Sequence, residues 1–267
     1  MDGTIDLAAI AGLPVTLDPE TLTLDFGDGI TTDPLAQRRI EDIRPMLPDP
    51  EASGPDPLYS IYMDIRPPGL VHDLHARGLG YGAVVDSPGR IGGEFVRSQG
   101  HIHSSPPGTT TPYLEIYEFW HGTGAVYLQD AARPNLTDVM LVDVRAGDKL
   151  IIPPGWVHVV VNSGPTALAF GALYATGAEL LYGPLRAMNG TAWAVLADGT
   201  FAANPRYDDP PRPHRTRARE YPEYGVTRDR PLLASFADDH ALYDYVVRPE
   251  AFPEVWGTVI RDLREPS

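Results

Sequence analysis

The sequence contains no cysteine and only one lysine, Lys149, among its 21 basic residues. The absence of cysteine excludes disulfides and thiolate metal sites, so histidine and carboxylate side chains must hold any bound metal. The chain also has no run of about 18 apolar residues, so we predict no transmembrane helix. Its first residues, MDGTIDLAAIAGLPV, are acidic and lack a basic n-region. We therefore predict no signal peptide and expect a cytoplasmic protein.

Acidic residues outnumber basic residues by 36 to 21, which gives a net charge of −15 and a pI of about 4.8. An acidic surface repels phosphate backbones, so we do not expect nucleic-acid binding. A small anionic substrate remains compatible with this charge, because a local pocket can be positive on an acidic protein. The length of 267 residues suits one large domain or a domain with an extension, and the hydrophobic content of 43% is ordinary for a globular protein.

The central part of the chain, residues 58–204, consists of short β-prone runs separated by Gly and Pro. Turn signals such as Ser87-Pro-Gly and Asn162-Ser-Gly-Pro stand between the runs. Strands at this spacing predict a mainly β fold, an antiparallel sandwich or barrel. The predicted strands are Leu58–Ile65, Leu79–Val85, Glu94–Ser98, Leu114–His121, Ala125–Gln129, Asp138–Val144, Lys149–Ile152, His158–Asn162, Ala167–Tyr174 and Ala192–Leu196.

Segments of different character flank this region, and no internal repeat is visible. Residues 1–57 are rich in Pro, Asp and Gly, and we predict an N-terminal extension that packs on the barrel, with one helix between Pro34 and Met46. Residues 205–267 would form a C-terminal extension. Its proline-rich linker, 205–221, is expected to be irregular, and two short helices would follow in Pro231–Asp244 and Glu250–Leu263. The aromatic residues of these helices should pack on the barrel or on a second subunit.

A histidine pair marks the first chemical segment, Gly100-His-Ile-His103. Alternate residues of a strand face the same side, so His101 and His103 can bind one ion together. Glu115 follows as a candidate carboxylate ligand. Glu118 competes with it, but it lies three residues further on and should face the opposite side of the strand.

The second segment, residues 147–162, contains His158 and matches the second cupin motif, G-x5-P-x-G-x2-H-x3-N, at every fixed position. The first cupin motif matches less closely, because eleven residues separate His103 from Glu115, although the six-residue gap from Glu115 to Gly122 is kept. We predict a single cupin barrel, a double-stranded β-helix or jelly roll. His101, His103, Glu115 and His158 would hold one divalent ion (Fe, Mn, Zn, Ni or Co). The other histidines are expected to be structural or exposed: His72, His75, His121, His214 and His240.

Between about Gly12 and Tyr207 the chain resembles the cupin-type glucose-6-phosphate isomerases. The resemblance combines H-x-H, E-x-Y, G-x-G, PP-x-W-x-H and VN patterns, and it includes landmarks in both flanking segments. The residues that carry it are Arg38-Arg39, Pro88-Gly89, Glu94-Phe95, Ser98, Gly100–His103, Glu115–Tyr117, Gly122–Gly124, Leu128-Gln129, Ile152–Pro154, Trp156, His158, Val161-Asn162, Tyr174, Tyr182-Gly183 and Asn204–Arg206.

This resemblance implies a metal-dependent aldose–ketose isomerase of a sugar phosphate, with glucose 6-phosphate and fructose 6-phosphate as the expected pair. The metal would bind the C1 and C2 oxygens and stabilise an enediolate. Glu115 would move the proton between C1 and C2, and Tyr117 would orient the sugar. A metal-assisted hydride shift is the alternative mechanism. The resemblance also implies a homodimer.

The family binds the phosphate through positions that correspond here to Ser98, Gly100, Tyr174 and Tyr182. Three other positions depart from the family pattern: Val84 replaces a hydroxyl residue, Leu180 replaces a histidine, and Gly155 replaces a tyrosine. These departures keep two further functions open. One is a metal-dependent cupin oxygenase, isomerase or lyase that acts on a different, possibly unphosphorylated substrate. The other is a binding or sensor cupin without catalysis, which would not need a glutamate beside three histidines.

Overall fold

The computed structural model describes residues 3–265. Strands dominate this part of the chain. They are β1 (Ile5–Asp6), β2 (Val15–Asp18), β3 (Thr23–Phe26), β4 (Ala36–Arg38), β5 (Tyr59–Tyr62), β6 (Leu79–Asp86), β7 (Arg90–Ile91), β8 (Glu94–Arg97), β9 (Ile102–His103), β10 (Glu115–His121), β11 (Thr123–Gln129), β12 (Val139–Arg145), β13 (Lys149–Ile152), β14 (Val157–Asn162), β15 (Leu168–Ala175), β16 (Leu180–Leu181), β17 (Trp193–Val195), β18 (Phe201–Ala203) and β19 (His214–Arg217).

The helices are short and lie mostly outside the central region. They are α1 (Ala8–Ala11), α2 (Ile40–Ile43), α3 (Val71–Ala76), α4 (Gly183–Ala187), α5 (Leu232–Asp238), α6 (Asp244–Val247) and α7 (Pro253–Arg264), with 3₁₀ turns at Arg44–Met46, Pro222–Tyr224 and Pro249–Ala251. No helix within residues 3–265 is long and apolar enough to cross a membrane.

Two six-stranded sheets form the centre of the molecule. Their strand orders are β13-β10-β15-β6-β5-β4 and β19-β12-β11-β14-β8-β7. The sheets pack face to face, since Val84 and Phe170 of the first and Val160 of the second line the same cavity. Two sheets that pack over one interior and are antiparallel except for the β12–β19 pair are consistent with the jelly-roll arrangement of cupins. The mainly β, jelly-roll prediction is therefore confirmed.

Strand β10 is buried on both faces. Its inner residues face the second sheet, and its outer residues lie under the C-terminal extension. Phe236, Tyr243 and Tyr245 of that extension are buried in the same apolar core as the barrel residues. The expected packing of these aromatic side chains on the barrel is thus observed within a single chain.

Two flanking segments differ from the sequence prediction. The single helix predicted between Pro34 and Met46 is replaced by β4, α2 and a 3₁₀ turn, because β4 pairs with β5 and extends the first sheet. The segment 205–221, predicted to be irregular, contains β19, which pairs in parallel with β12. Strand β12 would otherwise present an unpaired edge, and residues 214–217 contain no proline that would prevent pairing. Strands from both extensions therefore complete the sheets, and the division at residues 57 and 204 stays a prediction.

Candidate metal centre and adjoining cavity

Four side chains converge between the two sheets: His101, His103, Glu115 and His158. Their potential ligand atoms all lie within 4.8 Å of one another. Nε2 of His101 is 3.1 Å from Nε2 of His103 and 3.0 Å from Nε2 of His158. Oε2 of Glu115 is 3.4 Å from Nε2 of His103 and 3.6 Å from Nε2 of His158. This is the set of ligands predicted from the sequence.

Strand pairing brings these residues together. Glu115 begins β10, and an isolated bridge joins His101 to His158 of β14. The turn before His101 requires glycine, because Gly100 has a φ of +75° and a Cβ there would come within 2.5 Å of Val159 Cγ2. Segments that are distant in sequence thus present their side chains to one point.

The hydrogen bonds around the cluster fit a bound cation. Nδ1 of His103 lies 3.2 Å from the carbonyl oxygen of Tyr113, and Nδ1 of His158 lies 3.1 Å from that of Trp156. A carbonyl accepts a hydrogen, so Nδ1 carries the proton in both rings and Nε2 presents a lone pair to the centre. Oε2 of Glu115 is buried and has no hydrogen-bond partner in residues 3–265. Converging lone pairs beside an unpartnered carboxylate oxygen are the donor set that a divalent ion requires.

The charge states support the same interpretation. Burial lowers the pKa of His101 well below its ordinary value and lowers the pKa of His158 to about 4, so both rings are neutral at pH 7. Burial acts to raise the pKa of Glu115, but its pKa lies below the ordinary value, because polar groups around it, among them the Tyr117 hydroxyl, favour the carboxylate. Neutral imidazoles and an ionised carboxylate are the forms that bind metals.

A cavity of about 130 Å³ lies beside the cluster, and His101, His103 and Glu115 line it. Tyr117 and the predicted substrate-binding residues Ser98, Gly100, Tyr174 and Tyr182 all line it. The Ser98 hydroxyl accepts a hydrogen bond from the Val160 amide at 3.0 Å, and the Tyr174 hydroxyl accepts one from the Asp64 amide at 3.2 Å. Both hydroxyl hydrogens therefore remain available to a ligand.

The three residues that depart from the family pattern, Val84, Leu180 and Gly155, do not all lie at the cavity. Val84 and Leu180 line the cavity, whereas Gly155 is absent from its lining, and a Cβ at position 155 would lie 3.6 Å from Cγ of Pro112. Two of the lining residues with polar side chains, Tyr59 and Gln99, were not predicted from the sequence. The alternation of Tyr59 with Ile61 in a predicted strand could have indicated Tyr59, but no local signal distinguished Gln99.

Glu118 faces away from the candidate metal centre, as predicted. Its carboxylate accepts hydrogen bonds from the Tyr81 hydroxyl at 2.8 Å and the Leu232 amide at 3.0 Å, and it pairs with Lys149 at 3.1 Å. Glu118 is thus part of a separate structural network. The other histidines are absent from the metal cluster identified among the described residues.

Comparison with protein families identifies a match over residues 37–212 to the model of glucose-6-phosphate isomerase (GPI), which is more than half of the chain. Among individual proteins, the glucose-6-phosphate isomerase of Thermococcus litoralis is 26% identical over 175 residues, which cover 63% of this chain and 84% of the relative. That of Pyrococcus furiosus is 25% identical over 199 residues, which cover 71% of this chain and 97% of the relative.

Solved structures give weaker matches. An oxalate oxidase structure aligns with a TM-score of 0.35 at 19% identity and covers 50% of this chain and 58% of that one. A cupin 2 conserved barrel domain protein from Rhodopseudomonas palustris aligns with a TM-score of 0.31 at 15% identity, over 45% of this chain and 63% of that one. The family assignment rests on the sequence matches and agrees with the resemblance noted in the motifs. The chain is therefore an enzyme of the glucose-6-phosphate isomerase family.

Proposed function

We propose that this enzyme interconverts the aldose and ketose forms of a sugar phosphate, with glucose 6-phosphate and fructose 6-phosphate as the first pair to test. The observation that carries the proposal is the convergence of His101, His103, Glu115 and His158 beside a cavity between the two sheets, within the matched region. A binding protein without catalysis would not need a glutamate beside three histidines.

The four residues would hold one divalent ion. Three imidazoles and one carboxylate suit Fe(II), Mn, Zn, Ni or Co, and leave positions open for substrate. When bound, such an ion would act as a Lewis acid that stabilises negative charge on the C1 and C2 oxygens of the sugar.

Glu115 is the proposed proton carrier. Its carboxylate is ionised and buried, and no other carboxylate lines the cavity in the described part of the chain. It would take a proton from one of the two reacting carbons and return it to the other. A hydride shift between the carbons is the other route, and there Glu115 would serve only as a ligand. Tyr117 lines the same wall and would orient the sugar.

Neutral donors would bind the far end of the substrate. Ser98, Tyr174 and Tyr182 offer hydroxyl groups, and Gly100 offers a backbone amide. Because Gly100 has no side chain, a substrate oxygen can approach this amide closely.

The direct test is an assay of purified, metal-loaded protein with fructose 6-phosphate and with fructose in parallel. We expect conversion of fructose 6-phosphate to glucose 6-phosphate and little conversion of fructose. Failure with these substrates and with related hexose and pentose phosphates would contradict the proposed function and leave the metal site unaffected.

A second candidate is a metal-dependent isomerase, lyase or oxygenase that acts on an unphosphorylated substrate. Val84 and Leu180 favour it, because they place apolar side chains in the cavity where relatives are expected to have polar ones. The cavity lining also contains neither lysine nor arginine, as far as residues 3–265 show. The same parallel assay distinguishes the two candidates.

A further inference from the structure

A second pocket, of about 350 Å³, shares no lining residue with the cavity beside the candidate metal centre. Its charged lining residues are Arg145, Arg215, Arg217, Arg228, Asp143 and Asp148. Four positive and two negative side chains give this pocket a net charge of +2, whereas the whole chain carries −15. An acidic protein therefore concentrates positive charge at one pocket, and such a concentration attracts anions.

Two strands of the second sheet, β12 and β19, direct the arginines outward. Arg145 and Arg217 are exposed next to buried neighbours in their strands, because alternate residues of a strand face opposite sides. Parallel pairing places Arg215 opposite Leu141 and Arg217 opposite Asp143. Each of these two β19 arginines thus lies diagonally across from the residue two positions further along β12. Arg215 has Asp143 in that place, and Arg217 has Arg145.

The first diagonal carries an ion pair, and the second carries two like charges. Nε and Nη2 of Arg215 lie 2.8 and 2.9 Å from the two carboxylate oxygens of Asp143. Arg217 meets an arginine in the equivalent place, and neither Arg217 nor Arg145 forms an ion pair with a carboxylate within residues 3–265. Two guanidinium groups on one face repel each other, and an anion between them removes this repulsion.

Other donors of the pocket surround this pair. The Arg228 guanidinium binds the Asp148 carboxylate. Burial raises the pKa of Asp148, and the charges of Arg228 and Arg145 oppose this rise, so Arg145 acts on the same part of the pocket. Thr123, which lies opposite Arg145 on β11, and Ser163 add hydroxyl groups to the lining. Guanidinium and hydroxyl groups together are the donor set that binds phosphate oxygens.

The charge balance indicates which anion fits. Arg215 and Arg228 are neutralised by aspartates, so the charges of Arg145 and Arg217 remain uncompensated. A phosphate group carries about −1.5 to −2 charges at pH 7. Chloride would leave one positive charge unbalanced. A phosphate dianion balances both charges, and its oxygens match the fork of a guanidinium group.

We propose that this pocket binds a phosphate dianion, either free or as the phosphomonoester of a small molecule, and that Arg145 and Arg217 are its main ligands. The match to the isomerase family ends at residue 212, so three of the four arginines lie beyond it. The C-terminal extension therefore builds the site on the barrel. A phosphate that bridges Arg145 and Arg217 also joins the extension to the barrel. This inference does not depend on the proposed isomerase activity.

The test compares the wild type with the double variant Arg145→Gln, Arg217→Gln and the control Arg133→Gln. Arg133 is exposed and lies outside the pocket lining, so the control removes the same kind of charge elsewhere. Inorganic phosphate and glycerol 3-phosphate are titrated calorimetrically at an ionic strength of about 0.15 M, which screens long-range attraction. The probe that binds more tightly tells whether the ligand is free or esterified phosphate.

The double variant should raise the dissociation constant of this site about a hundredfold, because each charged hydrogen-bonding group contributes about tenfold. Arg133→Gln should leave the constant unchanged. The cavity beside the metal centre is also expected to take a phosphate, so the variant Ser98→Ala serves as a second reference. It should retain the arginine site in full.

Melting temperature is the second measurement. Phosphate should raise it in the wild type and in Arg133→Gln more than in the double variant, since a ligand that binds only the native state stabilises that state. If the double variant does not fold, either single variant decides, with an expected loss of about tenfold in affinity. Absence of phosphate binding to the wild type, or binding that the double variant retains in full, would overturn the inference. An equal loss in Arg133→Gln would also overturn it, because it would show a general effect of charge.

Discussion

Glu115 and Glu118 lie three residues apart on β10 and face opposite sides of the sheet. Glu115 points into the cavity beside three histidines, whereas Glu118 is fully buried under the C-terminal extension. Strand β10 thus carries the proposed proton carrier, Glu115, on one face. On the other face it carries Glu118, which binds the C-terminal extension through the Leu232 amide. The two carboxylates can be tested independently, because they share no hydrogen-bond partner in the described structure.

Replacing Glu115 by Gln should reduce kcat at least a hundredfold, because an amide cannot carry a proton between two carbons. Three imidazoles remain, so metal binding should weaken without disappearing. Turnover is measured with fructose 6-phosphate at saturating metal, and metal content is measured by elemental analysis. A fully loaded Glu115→Gln protein with near wild-type kcat would favour the hydride shift.

Lys149→Met should lower the free energy of unfolding by about 3 kcal/mol, because it leaves the buried Glu118 carboxylate without its cation. The double variant Lys149→Met, Glu118→Gln should recover part of this loss, since no uncompensated charge remains. Denaturant titration at pH 7 measures both effects. A double variant that is less stable than Lys149→Met would show that most of the lost stability comes from the missing Lys149–Glu118 interaction and not from the unpaired charge.

Asp86→Asn should stabilise the protein at pH 7. Asp86 is fully buried, neither of its carboxylate oxygens has a hydrogen-bond partner among residues 3–265, and burial raises its pKa well above 3.8. As pH rises above 3.8, the unfolded chain loses this proton first, so the native state loses stability until its own pKa is reached. Each unit of pKa difference corresponds to about 1.4 kcal/mol.

Asparagine does not titrate, so the advantage of Asp86→Asn should grow with pH and vanish below about pH 3.8. Unfolding curves of both proteins between pH 3.5 and 7.5 provide the measurement, and the low-pH values serve as the internal control. A stability difference that is constant over this range would contradict the assignment of a raised pKa.

Truncation after Tyr221 should lower the melting temperature by several degrees or change the oligomeric state, because it uncovers the outer face of β10. The point variant Phe236→Ala tests the same packing with less disruption and should cost about 3–5 kcal/mol. Calorimetry and light scattering measure stability and mass. Unchanged values for the truncated chain would show that the extension does not stabilise the barrel.

The central strands were predictable because the residues that indicate them lie within each strand and its adjoining turns. The segment from Lys149 to Asn162 combines β-branched residues with a fixed Pro-Pro-Gly turn, and Gly155 adopts a φ of +77°, a value that favours glycine. The candidate histidine ligands were predictable for the same reason, since alternation in a strand decides which side chains share a face.

The edge strands and the cavity details were not predictable in this way. Strand β19 exists because β12 offers it hydrogen bonds, and its own sequence has no strong β propensity. Gln99 lines the cavity beside the histidine pair, and no periodic pattern in the sequence indicates this position. Both features depend on partners that are far away in the sequence.

The arrangement of Lys149 has a practical consequence for chemical labelling. The ε-amino group of the only lysine is enclosed by Glu118 and the carbonyl of Thr227, so amine-directed reagents cannot reach it in the native chain. Acylation at this position would therefore report the moment at which the extension detaches from the barrel. The single lysine side chain therefore reports partial opening by mass spectrometry without any engineered tag, and peptide mapping separates its acylation from that of the terminal amine.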